Sequence, residues 1–186
     1  AQPVAPWAEL VASTLILSLP ADDVKQVVDP VALMGNWTKL MDHAADLEGL
    51  AHDRSRPERF VLDRQISAGW MHAGYPLMGP TDTGVIAAFL QLPFYNDDDK
   101  WGIFHELGHN FQYRPWVISG TTETTCNLWS VYMYEQLGVT GTDGHGALED
   151  RDERIRNYLA TGPDFAGKWK VWDALPTYLQ LKDAFG

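Results

Sequence analysis

Residues 96–115 run NDDDKWGIFHELGHNFQYRP. Ile103, Leu107 and Phe111 recur at helical spacing and define one apolar face, so the pattern predicts a helix over 98–113. Asp97, Asp98 and Asp99 stand where an N-cap and first-turn acids belong, and Pro115 closes the segment. Within the helix, His105 and His109 are four residues apart and share a face, so both imidazoles can reach one ion. Glu106 sits beside the first of them. That is the H-E-x-x-H pattern, in which the histidines hold zinc and the glutamate takes a proton from a zinc-bound water. Gly108, between the histidines, admits close approach by another element.

A catalytic zinc site needs a third protein ligand and one open position. An H-E-x-x-H-x-x-G-x-x-H site would require Gly at 112 and His at 115, but Gln112 and Pro115 stand there, which removes that class. The next carboxylate is Glu123, in GTTETTCN (residues 120–127), and no other lies between His109 and Glu135. It falls in the first turn of a helix read over 122–137 whose later turns are apolar. An unpaired charge in a buried helix is costly, so ligation explains Glu123, with N-terminal capping as the plainer alternative. Asn127, one turn on, either orients Glu123 or is an ordinary helix polar residue. The single cysteine, Cys126, reads as packing.

Outward from this centre, the chain reads strand-rich over 1–95 and helical over 96–186. Strands are expected at 13–19 (STLILSL), 60–66 (FVLDRQI) and 85–92 (VIAAFLQL), with an extended segment at 69–78 and an irregular start at AQPVAPW. Helices are expected at 30–50, 98–113, 122–137, 149–160 and 171–185. Pro176 is expected to set the first turn of the last one apart. Strands first, helices later and no clear βαβ alternation give an α+β class: a small, mostly antiparallel or mixed sheet followed by a helical part. The whole of 1–186 is expected to be one catalytic domain cut from a larger chain.

Composition narrows the function. The chain has 186 residues, with 14 Lys+Arg against 25 Asp+Glu and a net charge of −11, which argues against nucleic acid or an anionic membrane as partner. No apolar run reaches membrane-spanning length, one cysteine allows no internal disulfide, and no signal peptide is evident. Eight Trp, seven Tyr and seven Phe are an unusual aromatic load. Most fall in helical segments, whereas Trp70, Tyr75, Tyr113 and Trp116 flank the presumed cleft as candidate substrate surface.

At HELGHNFQ and GTTETTCNLW the sequence resembles the enhancin-type (M-sixty-like) zinc metallopeptidases, gluzincins that include secreted mucin-degrading proteases. The resemblance continues through RFVLDRQISAGWMHAGYPLM, ERIRNYLATGP and VWDALPTYLQLKDAFG, and more loosely APWAELVASTLILSLP. The downstream segments also look like the related domain of vertebrate ion-channel-associated factors. The resemblance implies a zincin-like fold and one Zn2+ held by His105, His109 and Glu123. It further implies Glu106 as base, a secreted or cell-surface setting, and cleavage of peptide bonds in O-glycosylated, mucin-like proteins. A donor for the developing oxyanion is also required; Tyr75, His72 and Tyr113 are the candidates. By analogy with zincins, 69–78 would form the sheet edge that pairs with substrate. Two rivals remain open: a protein-binding domain that retains a zinc site, and a zinc hydrolase acting on another amide.

Overall fold

The computed structural model describes residues 5–91, 100–139 and 145–186, which fall into two compact units, Ala1–Tyr95 and Asn96–Gly186. The class is α+β, with a four-stranded mixed sheet in the first unit and helices making up the second.

The first unit contains β1 (Trp7–Val11), β2 (Leu15–Pro20), α1 (Ala21–Val24), α2 (Pro30–Glu48), β3 (Glu58–Leu62), β4 (Leu77–Gly79) and α3 (Thr83–Leu90). The sheet order is β1-β2-β3-β4. β1 and β2 pair antiparallel, with Trp7 opposite Pro20, while β2–β3 and β3–β4 are parallel. The parallel β2–β3 pair is joined through α2, so one βαβ connection exists that the residue pattern did not disclose.

Helix α2 is specified at both ends. The Asp29 side chain accepts from the Ala32 amide at 2.9 Å, Pro30 opens the helix, and Gly49 ends it at φ 77°. Its buried face carries Leu33, Trp37, Leu40, Met41 and Ala44 against Leu15, Leu17, Leu19, Phe60 and Phe89 of the same core. The Trp37 ring stacks on Phe89 at 5.4 Å, and its indole N–H donates to the Phe89 carbonyl at 3.0 Å. That carbonyl lies in the last turn of α3, where the helix supplies no donor of its own.

One expectation fails here and one is cut short. The strand expected at 85–92 does not form over its described residues: 83–90 form α3, started by Asp82, whose side chain accepts from the Val85 amide at 2.9 Å. A short run of uninterrupted apolar residues carries no periodicity to separate strand from buried helix; the cap and Ala87-Ala88 decide it. At the start, the irregular stretch expected at 1–7 ends at Trp7, where the unexpected strand β1 begins, anchored by Trp7 Nε1 donating to the Leu62 carbonyl at 3.0 Å. The extended segment 69–78 contributes only Leu77 and Met78 to β4. Before it the chain turns through Gly74 (φ 121°) and the cis Tyr75–Pro76 bond, tied by a His72–Met78 bridge.

The second unit contains α4 (Trp101–Phe111), α5 (Thr122–Thr125), α6 (Asn127–Gln136), α7 (Arg151–Ala160) and α8 (Val171–Phe185), with 3-10 turns at Arg114–Trp116 and Gly146–Leu148. Only Cys126, itself helical at φ −60° and ψ −33°, separates α5 from α6. Helix α8 runs unbroken through Pro176, which is buried with Ala174, Leu175 and Leu179. Packing of α8 on α5 and α7 holds it through the missing N–H. The aspartate cap expected at 97–99 lies outside the described residues. Among the described residues no helix is long and apolar enough to cross a membrane.

Candidate metal centre

Helix α4 packs on α6, burying Ile103, Phe104, Leu107 and Phe111 with Trp129, Met133 and Tyr134. Gly108 is the close-approach point. A Cβ built there would stand 2.3 Å from the Cys126 carbonyl oxygen and 2.9 Å from its carbonyl carbon and Cα. No side chain fits, so hydrogen at this position lets the histidine-bearing helix meet the backbone that carries Glu123.

The meeting brings three ligand groups to one point. Glu123 Oε2 lies 3.2 Å from His105 Nε2 and 3.2 Å from His109 Nε2, and the two imidazole rings stand nearly perpendicular, at 86°. A tetrahedral zinc with arms of about 2.0–2.2 Å has ligand–ligand edges of about 3.3–3.6 Å, close to this spacing. The Glu123 side chain is 58% exposed, which corrects the burial argument made from sequence. Thr121, Thr124, Thr125, Cys126 and Asn127 around it are buried, but the carboxylate projects outward. Convergence with the two histidines, not burial, makes it a candidate ligand.

Hydrogen-bond logic fixes one ring. An indole N–H only donates, and Trp101 Nε1 lies 2.9 Å from Asn127 Oδ1, so that atom is the amide oxygen. The Asn127 Nδ2 group donates to the Glu123 backbone carbonyl at 2.9 Å. His105 Nδ1, 2.8 Å from the same oxygen, must therefore be the protonated nitrogen, leaving Nε2 with a free lone pair facing Glu123. Asn127 thus orients His105 as well as the turn that carries Glu123. Asn127→Leu is expected to weaken zinc binding about 10–100-fold, as losses of such outer contacts do; competition against a chromophoric chelator would measure it.

Cys126 Sγ is 3.5 and 3.6 Å from the two nitrogens of His105. Equal distances place the sulfur over the ring and away from either lone pair. Burial, with the charges of Glu123 and Glu106 nearby, pushes its thiol far up and keeps it neutral. It packs beneath His105.

Glu106 follows His105 on α4, half-buried, and its charge reaches Cys126 at the floor of the cluster. Tyr113 is 55% exposed and packs edge-on against Trp116 at 6.3 Å; Trp116, 39% exposed, stacks on Trp129. Both follow directly from α4. His72 and Tyr75 belong to the first unit. His72 Nδ1 lies 2.8 Å from the Ala73 carbonyl and Nε2 2.8 Å from Ser67 Oγ, so both ring nitrogens are engaged locally. Tyr75 is exposed with the Arg56 guanidinium 3.7 Å above its ring. Residue reading did not single out Trp101 or Gln112 as contributors. Trp101 stands one turn before His105, and Gln112 touches His109 Nδ1 at 2.9 Å; their only signal is that spacing along α4.

Two imidazoles from one helix and a carboxylate from the next, with a glutamate beside the first histidine, define the HExxH metallopeptidase class with a glutamate third ligand. The chain belongs to the family described as Peptidase M60, enhancin and enhancin-like, whose model matches residues 2–186. It is 45% identical over 186 residues to a TRPM8 channel-associated factor homolog of Xenopus laevis, covering 98% of this chain and 20% of that protein. The chain therefore spans about a fifth of that relative's length. Its fold matches a conserved Bacillus anthracis protein of unknown function (TM-score 0.81, 24% identity, 99% of this chain and 39% of that one). It also matches a metallopeptidase from Bacteroides thetaiotaomicron (TM-score 0.68, 15% identity, 96% of this chain and 31% of that one).

Proposed function

We propose that this chain carries the catalytic centre of a zinc-dependent endopeptidase acting on protein substrates of the O-glycosylated, mucin-like class. The observation that supports it most is the convergence of His105, His109 and Glu123 with Glu106 intact beside them. His105 and His109 offer Nε2 and Glu123 offers a carboxylate oxygen, a donor set suited to zinc. A bound zinc ion supplies Lewis acidity, acidifying water and polarising the scissile carbonyl. Glu106 accepts the proton of the attacking water and returns it to the departing amine, so one carboxylate serves as base and then acid. Asn127 holds His105 in the ligating tautomer. Of the three oxyanion-donor candidates Tyr113 is the nearest in sequence to the candidate ligands, and the exposed Tyr113–Trp116 pair offers flat surface for substrate. The glycosylated substrate class and a secreted or cell-surface setting rest on the family.

A second reading is a protein-binding region that keeps the metal centre, favoured by the channel-associated name of the Xenopus laevis relative. A purely structural site has no use for a base at position 106, which favours the enzyme. The deciding experiment incubates zinc-loaded protein with matched O-glycosylated and bare peptides and reads the products by mass spectrometry. Cleavage that requires zinc and the glycan is expected. Zinc-loaded protein that cuts neither peptide would favour the binding reading, and equal cutting of both would remove the glycan requirement.

A further inference from the structure

Trp101 donates to the Asn127 oxygen that His105 also meets. One atom at the rim of a large ring makes that bond, so it holds only while the ring is held. Among the described residues three rings surround the indole. Trp172 of α8 lies 6.2 Å away, Tyr134 of α6 5.8 Å, and His145 4.8 Å, the nearest of the three. His145 also stacks on Trp172, at 4.5 Å with 23° between the planes. Its Nδ1 accepts the Ala147 amide at 3.0 Å and so caps the 3-10 turn Gly146–Leu148. Trp172 follows a strained residue: Val171, β-branched, stands at φ 26°, and its carbonyl accepts the Thr124 hydroxyl at 3.4 Å. Such strain persists only where the surrounding packing imposes it.

We propose that His145 is a positioning residue of the metal centre, a wedge between α4 and α8 whose ring keeps the Trp101 indole aimed at Asn127. Trp101 is 6% exposed, so removing the ring beside it opens a void into which the indole relaxes. A hydrogen bond weakens steeply as its angle closes, and the Trp101 bond to Asn127 weakens with that movement. Asn127 then loses the donor-only partner that orients its amide, and His105 loses a fixed neighbour. The wedge is the work of the whole ring, whereas the cap on the 3-10 turn is the work of one nitrogen. Substitution separates them: phenylalanine keeps a ring and loses the cap, and asparagine caps without a ring. The role toward zinc rests on the metal-centre reading of His105, His109 and Glu123; the hold on Trp101 does not.

The test measures zinc affinity by chelator competition, the urea midpoint, and the assigned indole 1H–15N signal of Trp101 in zinc-free protein. His145→Phe is expected to lower the urea midpoint, leave the indole signal near its wild-type position and keep wild-type zinc affinity. His145→Asn is expected to move the indole signal and weaken zinc binding about tenfold, the low end for lost outer contacts. If His145→Asn fails to fold, His145→Gln, longer and equally without a ring, takes its place. His145→Phe decides independently of both: zinc affinity lost there would overturn the positioning role. A folded ringless variant with wild-type affinity, or with an unmoved indole signal, would overturn it as well. Wild-type protein that takes up no zinc would overturn the metal centre and the role toward zinc together, while the indole signal still decides whether His145 holds Trp101.

Discussion

Glu106→Gln is expected to lower kcat/KM for peptide cleavage by about 10²–10⁴-fold while leaving zinc content at one ion per chain. The substitution keeps the shape and length of the side chain and removes only its capacity to accept a proton. Glu106 is no part of the cluster of His105, His109, Glu123 and Cys126, so metal binding has no reason to fall. It stands next to His105 on α4, half-buried, so the same helical turn carries both. Loss of both zinc and activity would make Glu106 a structural participant. Full activity with zinc retained would remove it as the base, and the mechanism would need another.

Gly108→Ala is expected to be the most disruptive single methyl group in the second unit. In an exposed helix the change would stabilise by about 1 kcal/mol, because alanine is the better helix former. Here the added carbon meets the Cys126 carbonyl oxygen at 2.3 Å, and backbone on the far side cannot swing away as a flexible side chain would. The sign reverses: destabilisation on the order of 3 kcal/mol is expected from overpacking at a backbone contact. Zinc affinity should fall with it, because pushing α4 off the α5–α6 segment stretches the 3.2 Å approaches of Glu123 to both imidazoles. Urea unfolding followed by tryptophan fluorescence, with zinc competition on the folded fraction, would measure both effects. A variant as stable as wild type with undiminished zinc binding would show that the two segments do not meet this closely.

What could be read in advance depended on how local the determinants were. Helix α2 carries its own start, stripe and stop in Asp29-Pro30, the 33/37/40/41/44 face and Gly49, so sequence and structure agree on it. The three candidate ligands that the structure brings together could be picked out because i, i+4 spacing is a property of any helix and Glu123 is the one carboxylate available in its stretch. The reason first given for Glu123 was not the right one: its helix is buried, its carboxylate is not. Helix α3 was missed because eight apolar-rich residues look alike as strand or helix until the Asp82 cap is weighed. Strand β1 was missed because what orders Trp7 is a carbonyl 55 residues away. Gln112 escaped notice because a glutamine at a helix end has no pattern of its own; only its contact with His109 gives it meaning.

Trp101, His105 and His109 are spaced i, i+4, i+8 along α4, and the first two are bonded to one oxygen atom of Asn127. A helix held at a single point can roll about its long axis; one held at two points a turn apart cannot. Helix α4 is keyed in rotation, so the bearing of His109 is set from a turn and more away, by the hold of Asn127 on Trp101 and His105.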